Sequence, residues 1–264
     1  MSDLRLVAID LDETLLDSSL AVDDETIKYL WDLQKRGIKL VIATGRTWPG
    51  AQKVLASLGF WQSVICYNGG LVYAADNGVL LDQRIDLGLA KELIRYFRDN
   101  NLFFKTYVDD IMYVPWLNTE TKEFINNHGV YCAVEAELDQ WLQVAPNMLV
   151  LIEDENTCDR QQDYISNRWL GKIKPTRSHR RSLEFLPPRV SKGMTLARIA
   201  AKLGFGPQNC MAIGNEMNDL EMLQWASVGV AVANSPRELQ ESADFITAAN
   251  NEQGVLKALR HFFG

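Results

Sequence analysis

The sequence predicts an α/β protein: a doubly wound parallel sheet with a separate α+β unit inserted into it. Three observations carry this expectation. Short apolar runs at residues 6–9, 38–43, 63–67, 211–213 and 228–233 each end in polar or glycine residues and alternate with stretches of helical period. That alternation lapses between residues 86 and 187, where helices and strands mix, and then returns. The chain has 264 residues, 47% of them hydrophobic, enough to fill one large core or two smaller ones.

Taken in order, residues 6–9, LVAI, are uniformly apolar, as a strand covered on both faces must be, and they run into Asp10, Asp12 and Thr14. Ligands of open α/β sheets bind just beyond the carboxyl ends of the strands, so chemistry is expected at this tip. Asp23 and Asp24 precede a helical pattern with Ile27, Leu30, Trp31 and Leu33 on its apolar side, closed by Gly37. Residues 38–43, IKLVIA, are a second buried strand leading into Thr44, Gly45 and Arg46. A right-handed crossover brings Thr44 to the same sheet edge as Asp10. A helix over 48–58 and a strand over 63–67 follow, the strand ending in Asn68, Gly69 and Gly70. Residues 71–85 read as a hairpin turning at Asp76, Asn77 and Gly78.

The inserted unit reads as a helix with Leu93, Ile94 and Phe97 inward, strands FFKTYV and IMYVPW, a polar helix near 119–127, a strand MLVLI, a helix around 160–169 and a strand SLEFL. Arg168, Lys172, Lys174, Arg177, Arg180 and Arg181 make its later part basic, which reads first as a solvated charged face. Ser191, Lys192 and Gly193 then open a helix with Leu196, Ile199, Ala200 and Leu203 inward and Gly204 at its end. A short strand at 211–213 ends in Gly214, Asn215, Glu216, Met217, Asn218 and Asp219, and a helix runs through Leu220, Met222 and Leu223. After the strand VGVAVA, Ser235, Pro236 and Glu238 read as a capping box for the next helix. A strand near 244–247 and a helix near 254–262 close the chain.

Composition excludes several classes. A formal net charge of −7 argues against nucleic acid as a partner, since binding a phosphate backbone needs a basic face. No apolar run is long enough to span a membrane, and the N-terminal residues lack a basic segment followed by a signal-peptide core, so a cytoplasmic protein is expected. Cys66, Cys132, Cys158 and Cys210 lack CxxC spacing and there are three histidines, so no zinc or haem signature follows; the cysteines read as reduced thiols.

Asp10 and Asp12 at one strand tip repel unless a positive charge lies between them. A hard divalent cation serves, and Mg²⁺, bound by one or two carboxylates and substrate phosphate oxygens, fits best. A carboxylate so placed can be a nucleophile, as in aspartyl-phosphate chemistry. The strand tips supply in order DxDxT, TGR, a lysine at a helix start and GNxxND, which together meet the needs of phosphoryl transfer.

This arrangement resembles the haloacid dehalogenase-like superfamily of phosphohydrolases, in its Cof-type branch with a large cap inserted between the second and third motifs. The matching residues are Asp10, Asp12 and Thr14; Ala43, Thr44, Gly45 and Arg46; Asn68 and Gly69; Ser191, Lys192 and Gly193; and the tail VGVAVANSPRELQESADFIT followed by EQGV. The resemblance implies a Rossmann-like catalytic core of residues 1–85 and 188–264 and a substrate-selecting cap of residues 86–187. It implies Mg²⁺-dependent hydrolysis of a small phosphomonoester, a sugar phosphate or related metabolite. Asp10 would attack phosphorus, and Asp12 would protonate the leaving alcohol and then activate water. Asp10, the Asp12 carbonyl, Asn215 and Asp219 form the expected metal set. Thr44, the Gly45 amide and Lys192 would hold the phosphate, with Arg46, Asn68 and Asn218 also on the substrate side. Two positions depart from the family pattern: Asn215 stands where aspartate is usual, which predicts weaker metal affinity, and Glu13 where glycine is common. Transfer to another hydroxyl, as in a phosphomutase, is the alternative reaction, and a non-catalytic sensor of phosphorylated metabolites is a more distant one. The sequence leaves the oligomeric state open.

Overall fold

The computed structural model describes residues 3–59, 61, 63–128 and 130–264. It divides into two units, one of Met1–Gly45, Gln52–Leu80 and Ser191–Gly264, the other of Arg46–Ala51 and Leu81–Val190. In chain order the elements are β1 (Leu6–Asp10), α1 (Asp24–Lys35), β2 (Lys39–Ala43), α2 (Trp48–Leu58), β3 (Ser63–Cys66), β4 (Leu71–Ala74), β5 (Val79–Asp82), α3 (Leu87–Asp99), β6 (Phe104–Val108), β7 (Ile111–Val114), α4 (Thr119–His128) and β8 (Tyr131–Val134). Then come α5 (Leu138–Trp141), β9 (Met148–Ile152), α6 (Glu155–Arg168), β10 (Lys174–His179), β11 (Ser182–Leu186), α7 (Lys192–Lys202), β12 (Cys210–Gly214), α8 (Leu220–Trp225), β13 (Val228–Ala231), α9 (Arg237–Ser242), β14 (Phe245–Ile246) and α10 (Gly254–Phe263).

The first unit holds an eight-stranded sheet in the order β14-β13-β12-β1-β2-β3-β4-β5. From β14 to β3 all pairs are parallel, and β4 returns antiparallel to β3. β1 is wholly buried because it is central, with Leu6 beside both Lys39 and Cys210. This burial on both faces is the reason its sequence shows no alternation. α1 starts where the Asp23 carboxylate accepts the Thr26 N–H, and it ends before Gly37 at φ 88°. The predicted hairpin forms, with the Ala74 N–H donating to the Gly78 carbonyl at 2.8 Å.

The second unit holds a mixed sheet, β10-β11-β9-β6-β7-β8, antiparallel throughout except for β7 with β8. Phe104, Leu149, Leu151, Leu183 and Phe185 point to one face, where they pack with Leu93, Ile94 and Phe97 of α3 and Cys158 and Ile165 of α6. Three sequence expectations need correction here. β10 falls in the stretch read as a basic face, β8 falls between expected elements, and α6 begins at Glu155, capped by Asp154, rather than near 160. In the first unit the predicted capping box at Ser235 does not form. Ser235 closes a turn onto the Val232 carbonyl at 3.0 Å, so α9 starts one residue later, after Pro236, and the Ser235 hydroxyl is buried with no partner among the described residues. Among the described residues no helix is long and apolar enough to cross a membrane.

Candidate active site

The order of the parallel strands reverses between β1 and β12, and α/β sheets bind ligands at such a point. Asp10 is the last residue of β1 and is 4% exposed. Beyond it the chain turns sharply, with Asp12 extended and Glu13 at φ 55°. Asn234 Nδ2 donates to the Glu13 carbonyl at 2.8 Å and so secures the turn. The left-handed backbone explains why glycine suits this position: glycine adopts it without the Cβ clash that glutamate tolerates here.

Lys192, the first residue of α7, reaches into this tip. Its Nζ donates to Asp10 Oδ1 at 2.6 Å and to Asp219 Oδ1 at 2.7 Å, and the side chain is 1% exposed. Ser191 caps α7 by accepting the Met194 N–H, while its hydroxyl donates to Glu221. Asp219 Oδ2 accepts from the N–H groups of Asn215 at 3.0 Å and Glu216 at 3.2 Å. Gly214 leaves the room for this, since a Cβ there would stand 2.5 Å from Asp219 Cγ. Burial pushes the Asp10 carboxyl well above the usual range; the Lys192 ammonium opposes it, and Asp219 and Asp12 add to it. Burial alone would lower Lys192, yet the two carboxylates it bridges hold it above the ordinary lysine value, so it remains an ammonium.

The residues expected on the phosphate side lie at the tips of β2 and β3. Thr44 is fully buried, and its carbonyl accepts the Asn68 N–H at 3.1 Å. Tyr67 and Asn68 are both left-handed, and Gly69 follows at φ 115° with no space for a Cβ, which would lie 2.5 Å from the Ser191 carbonyl oxygen. Asn218 Nδ2 donates to Asn68 Oδ1 at 3.0 Å, and Gly45 lies against the same amide. Asn218 Oδ1 is buried with no partner among the described residues, an acceptor left for a ligand. Arg46 belongs to the second unit, where its guanidinium donates to the Gly50 carbonyl at 3.3 Å.

The donor set suits a hard cation. The Asn215 side-chain amide, 4% exposed, lies 3.0 Å from Thr14 Oγ1 and 3.1 Å from both Asp10 Oδ2 and the Asp12 carbonyl oxygen; its nitrogen can donate to all three, and turned over it would offer them its oxygen. Carboxylate, peptide carbonyl and amide oxygen in one place are the ligands that Mg²⁺ takes. Among the described residues no group of three carboxylate, thiol or imidazole side chains does so. Asp219, expected as a ligand, is instead occupied by Lys192 and two backbone N–H groups. The structure thus brings together Asp10, Asp12, Lys192, Asn215 and Asp219, with Asn68, Asn218 and Gly45 as a second cluster. Sequence reasoning missed Glu221, which carries no motif signal, and gave no role to Asn234, although it lies in the tail that carries the resemblance, or to Thr14, although it is part of DxDxT.

A family model described as haloacid dehalogenase-like hydrolase matches residues 7–259. The chain is 30% identical over 265 residues to the 5-amino-6-(5-phospho-D-ribitylamino)uracil phosphatase YcsE of Bacillus subtilis (strain 168), covering 98% of this chain and 96% of that one. It superposes on TM0651 from Thermotoga maritima with a TM-score of 0.83 at 28% identity, covering 98% and 97% of the two chains. It superposes equally well, with a TM-score of 0.83 at 25% identity, on BT1666 from Bacteroides thetaiotaomicron, a member of the phosphatases of the haloalkanoate enzyme superfamily, covering 98% and 95%.

Proposed function

This chain belongs to the haloacid dehalogenase-like hydrolases and is a phosphatase, and from that premise we propose that it hydrolyses a small sugar or polyol phosphate, with Mg²⁺, through a phosphorylated Asp10. The observation that carries the reading is Asp10 itself, with Oδ1 on the Lys192 ammonium and Oδ2 3.1 Å from the Asn215 amide, which also meets the Asp12 carbonyl oxygen. Lys192 opposes the burial that favours a protonated Asp10, and it fixes the direction of the carboxylate. Asp10 Oδ1 forms the bond to phosphorus as the bond to the substrate oxygen breaks, and Asp12, partly exposed, gives its proton to the leaving alcohol. Asp12 then takes a proton from the water that attacks phosphorus, which frees Asp10 and releases inorganic phosphate.

Asp10, the Asp12 carbonyl and Asn215 would hold Mg²⁺, which when bound offsets the charge of the phosphate oxygens facing Asp10. Thr44, the Gly45 amide and Lys192 would bind those oxygens. Asn68 and Asn218 would position the phosphate side of the substrate, and the unit of residues 86–187 would select the leaving group. The substrate class rests on YcsE, whose named substrate is a phosphorylated ribityl compound.

Inorganic phosphate release from a panel of sugar, polyol and nucleoside phosphates tests this, with Mg²⁺ or with chelator. Metal-dependent release by the native chain, lost by at least about 10³-fold in Asp10→Asn, is expected. Release that survives Asp10→Asn would rule out the phosphorylated carboxylate.

A further inference from the structure

The Asn215 amide stands at a point where two chemistries meet. In one orientation its Oδ1 accepts from Thr14 Oγ1 at 3.0 Å, with Asp10 Oδ2 and the Asp12 carbonyl oxygen beside it. Both of those neighbours are acceptors, so oxygen faces oxygen, a contact that is favourable only around a cation. Turned by 180°, the same amide places its nitrogen 3.0 Å from Thr14 Oγ1, 3.1 Å from Asp10 Oδ2 and 3.1 Å from the Asp12 carbonyl oxygen. Its two N–H groups then satisfy the carboxylate and the peptide carbonyl together.

We propose that Asn215 is a reversible placeholder: its N–H groups hold Asp10 and the Asp12 carbonyl when no cation is bound, and its oxygen turns inward to ligate the cation when one arrives. This rests on the Mg²⁺ reading above and adds what the asparagine itself does.

An aspartate could play only the second part. It has no donor, and it would add a third acidic side chain to Asp10 and Asp12 beside the fourth, Asp219, with Lys192 as the one ammonium in contact. The neighbouring groups cannot substitute for the amide. Two of the three Lys192 N–H groups go to Asp10 Oδ1 and Asp219 Oδ1, and among the described residues the side-chain donor that meets Asp10 Oδ2 is Asn215, while Thr14 Oγ1 can supply one proton at most. The side chain is 4% exposed, so the exchange of partners happens largely out of water, where an unpaired carboxylate oxygen is costly. Asparagine therefore secures the metal-free site and weakens the loaded one.

Thermal unfolding and Mg²⁺ titration of the full chain test this without turnover. In chelator, Asn215→Asp is expected to unfold about 4 °C or more below the native chain. In calorimetry Asn215→Asp should bind Mg²⁺ about tenfold or more tightly than the native chain, and Asn215→Ala more weakly. Equal or higher stability of Asn215→Asp in chelator would overturn the placeholder. Mg²⁺ binding unchanged in Asn215→Ala would overturn the ligating half.

Nuclear magnetic resonance of protein labelled with ¹⁵N at asparagine reads the turn directly. The side-chain NH₂ pair deleted by Asn215→Ala should exchange slowly with solvent in chelator, then shift and exchange faster on saturation with Mg²⁺. A pair that exchanges fast in chelator, or that Mg²⁺ leaves unmoved, would also overturn the proposal. If the metal measurements succeed while no sugar or polyol phosphate is hydrolysed, the proposed substrate class fails and the placeholder stands.

Discussion

Two lysines, one in each unit, are more than nine-tenths buried, and their surroundings push them in opposite directions. Lys192 bridges Asp10 and Asp219 and is held above the ordinary lysine range although burial opposes it. Lys105, on β6, has no salt bridge among the described residues; its ammonium rests 3.9 Å from the centre of the Phe124 ring, and burial pulls it down to about 8. Burial is common to both, so the partners decide the sign. A ring face offers a fraction of what two carboxylates offer. The first lysine is thereby fixed as a cation beside the expected nucleophile, and the second is a proton that the protein gives up readily.

The largest effect should come from breaking the first case. Lys192→Met leaves Asp10 and Asp219 buried with no ammonium between them, so a loss of about 3–5 kcal/mol in denaturant unfolding is expected, with phosphate release down by about 10³-fold or more. Stability within about 1 kcal/mol of the native chain would mean that the carboxylates do not need the ammonium. The same substitution at Lys105 should act with opposite sign. Lys105→Met exchanges a buried, weakly paired ammonium for an apolar chain of similar length, and a gain of about 1–3 kcal/mol at pH 7 is expected from the same assay.

The pH dependence sharpens the contrast. In the folded chain Lys105 loses its proton near pH 8, whereas in the unfolded chain it keeps it to about pH 10.4. Between these values the unfolded state binds more protons, so native stability should rise with pH relative to Lys105→Met, and the difference should be constant below pH 8. A difference that is flat from pH 7 to 10 would show that Lys105 is normally solvated.

A smaller effect is expected from the mirror image of the Lys192 cluster. Asp139 of α5, with its side chain 2% exposed, accepts from Arg98 at 2.5 Å and Arg95 at 3.2 Å, one anion between two cations. Both arginines retain access to water, so Asp139→Asn should cost about 1–2 kcal/mol and leave phosphate release unchanged. A loss as large as that of Lys192→Met would mean that solvent access gives the arginines no relief.

The two units also differ in how much of them can be read from the sequence. In the first, β1, β2 and β3 are legible because burial on both faces leaves uninterrupted apolar runs, and DxDxT stands at the tip of β1, Lys192 at the start of α7 and GNxxND at the tip of β12. In the second, β10 is KPTRSH, which has neither an apolar run nor a clean alternation. It is an edge strand, formed through its pairing with β11, and lysine, arginine and proline are usual on such edges. Lys105 lies hidden within FFKTYV for a related reason: its environment is set by α4, which sequence spacing does not place. In the site, contacts made over long separations were illegible, among them Asn234 with Glu13 and Asn215 with Thr14. Ser235 misled because a serine before Pro and a nearby Glu describes a helix start only if the serine itself takes the cap position; here its N–H closes the turn onto Val232 and Pro236 precedes the helix.

The central place of β1 has a consequence for synthesis. Its partner on one side, β2, follows within about thirty residues, but on the other side Leu6 pairs with Cys210. At a ribosomal rate of about 5–20 residues per second, the growing chain carries LVAI with one open strand edge for on the order of 10–40 seconds, while the second unit, Arg46–Ala51 with Leu81–Val190, is completed in between. The nascent chain thus has a finished domain tethered to an unfinished one, and chaperone binding during translation should concentrate on β1 until β12 emerges.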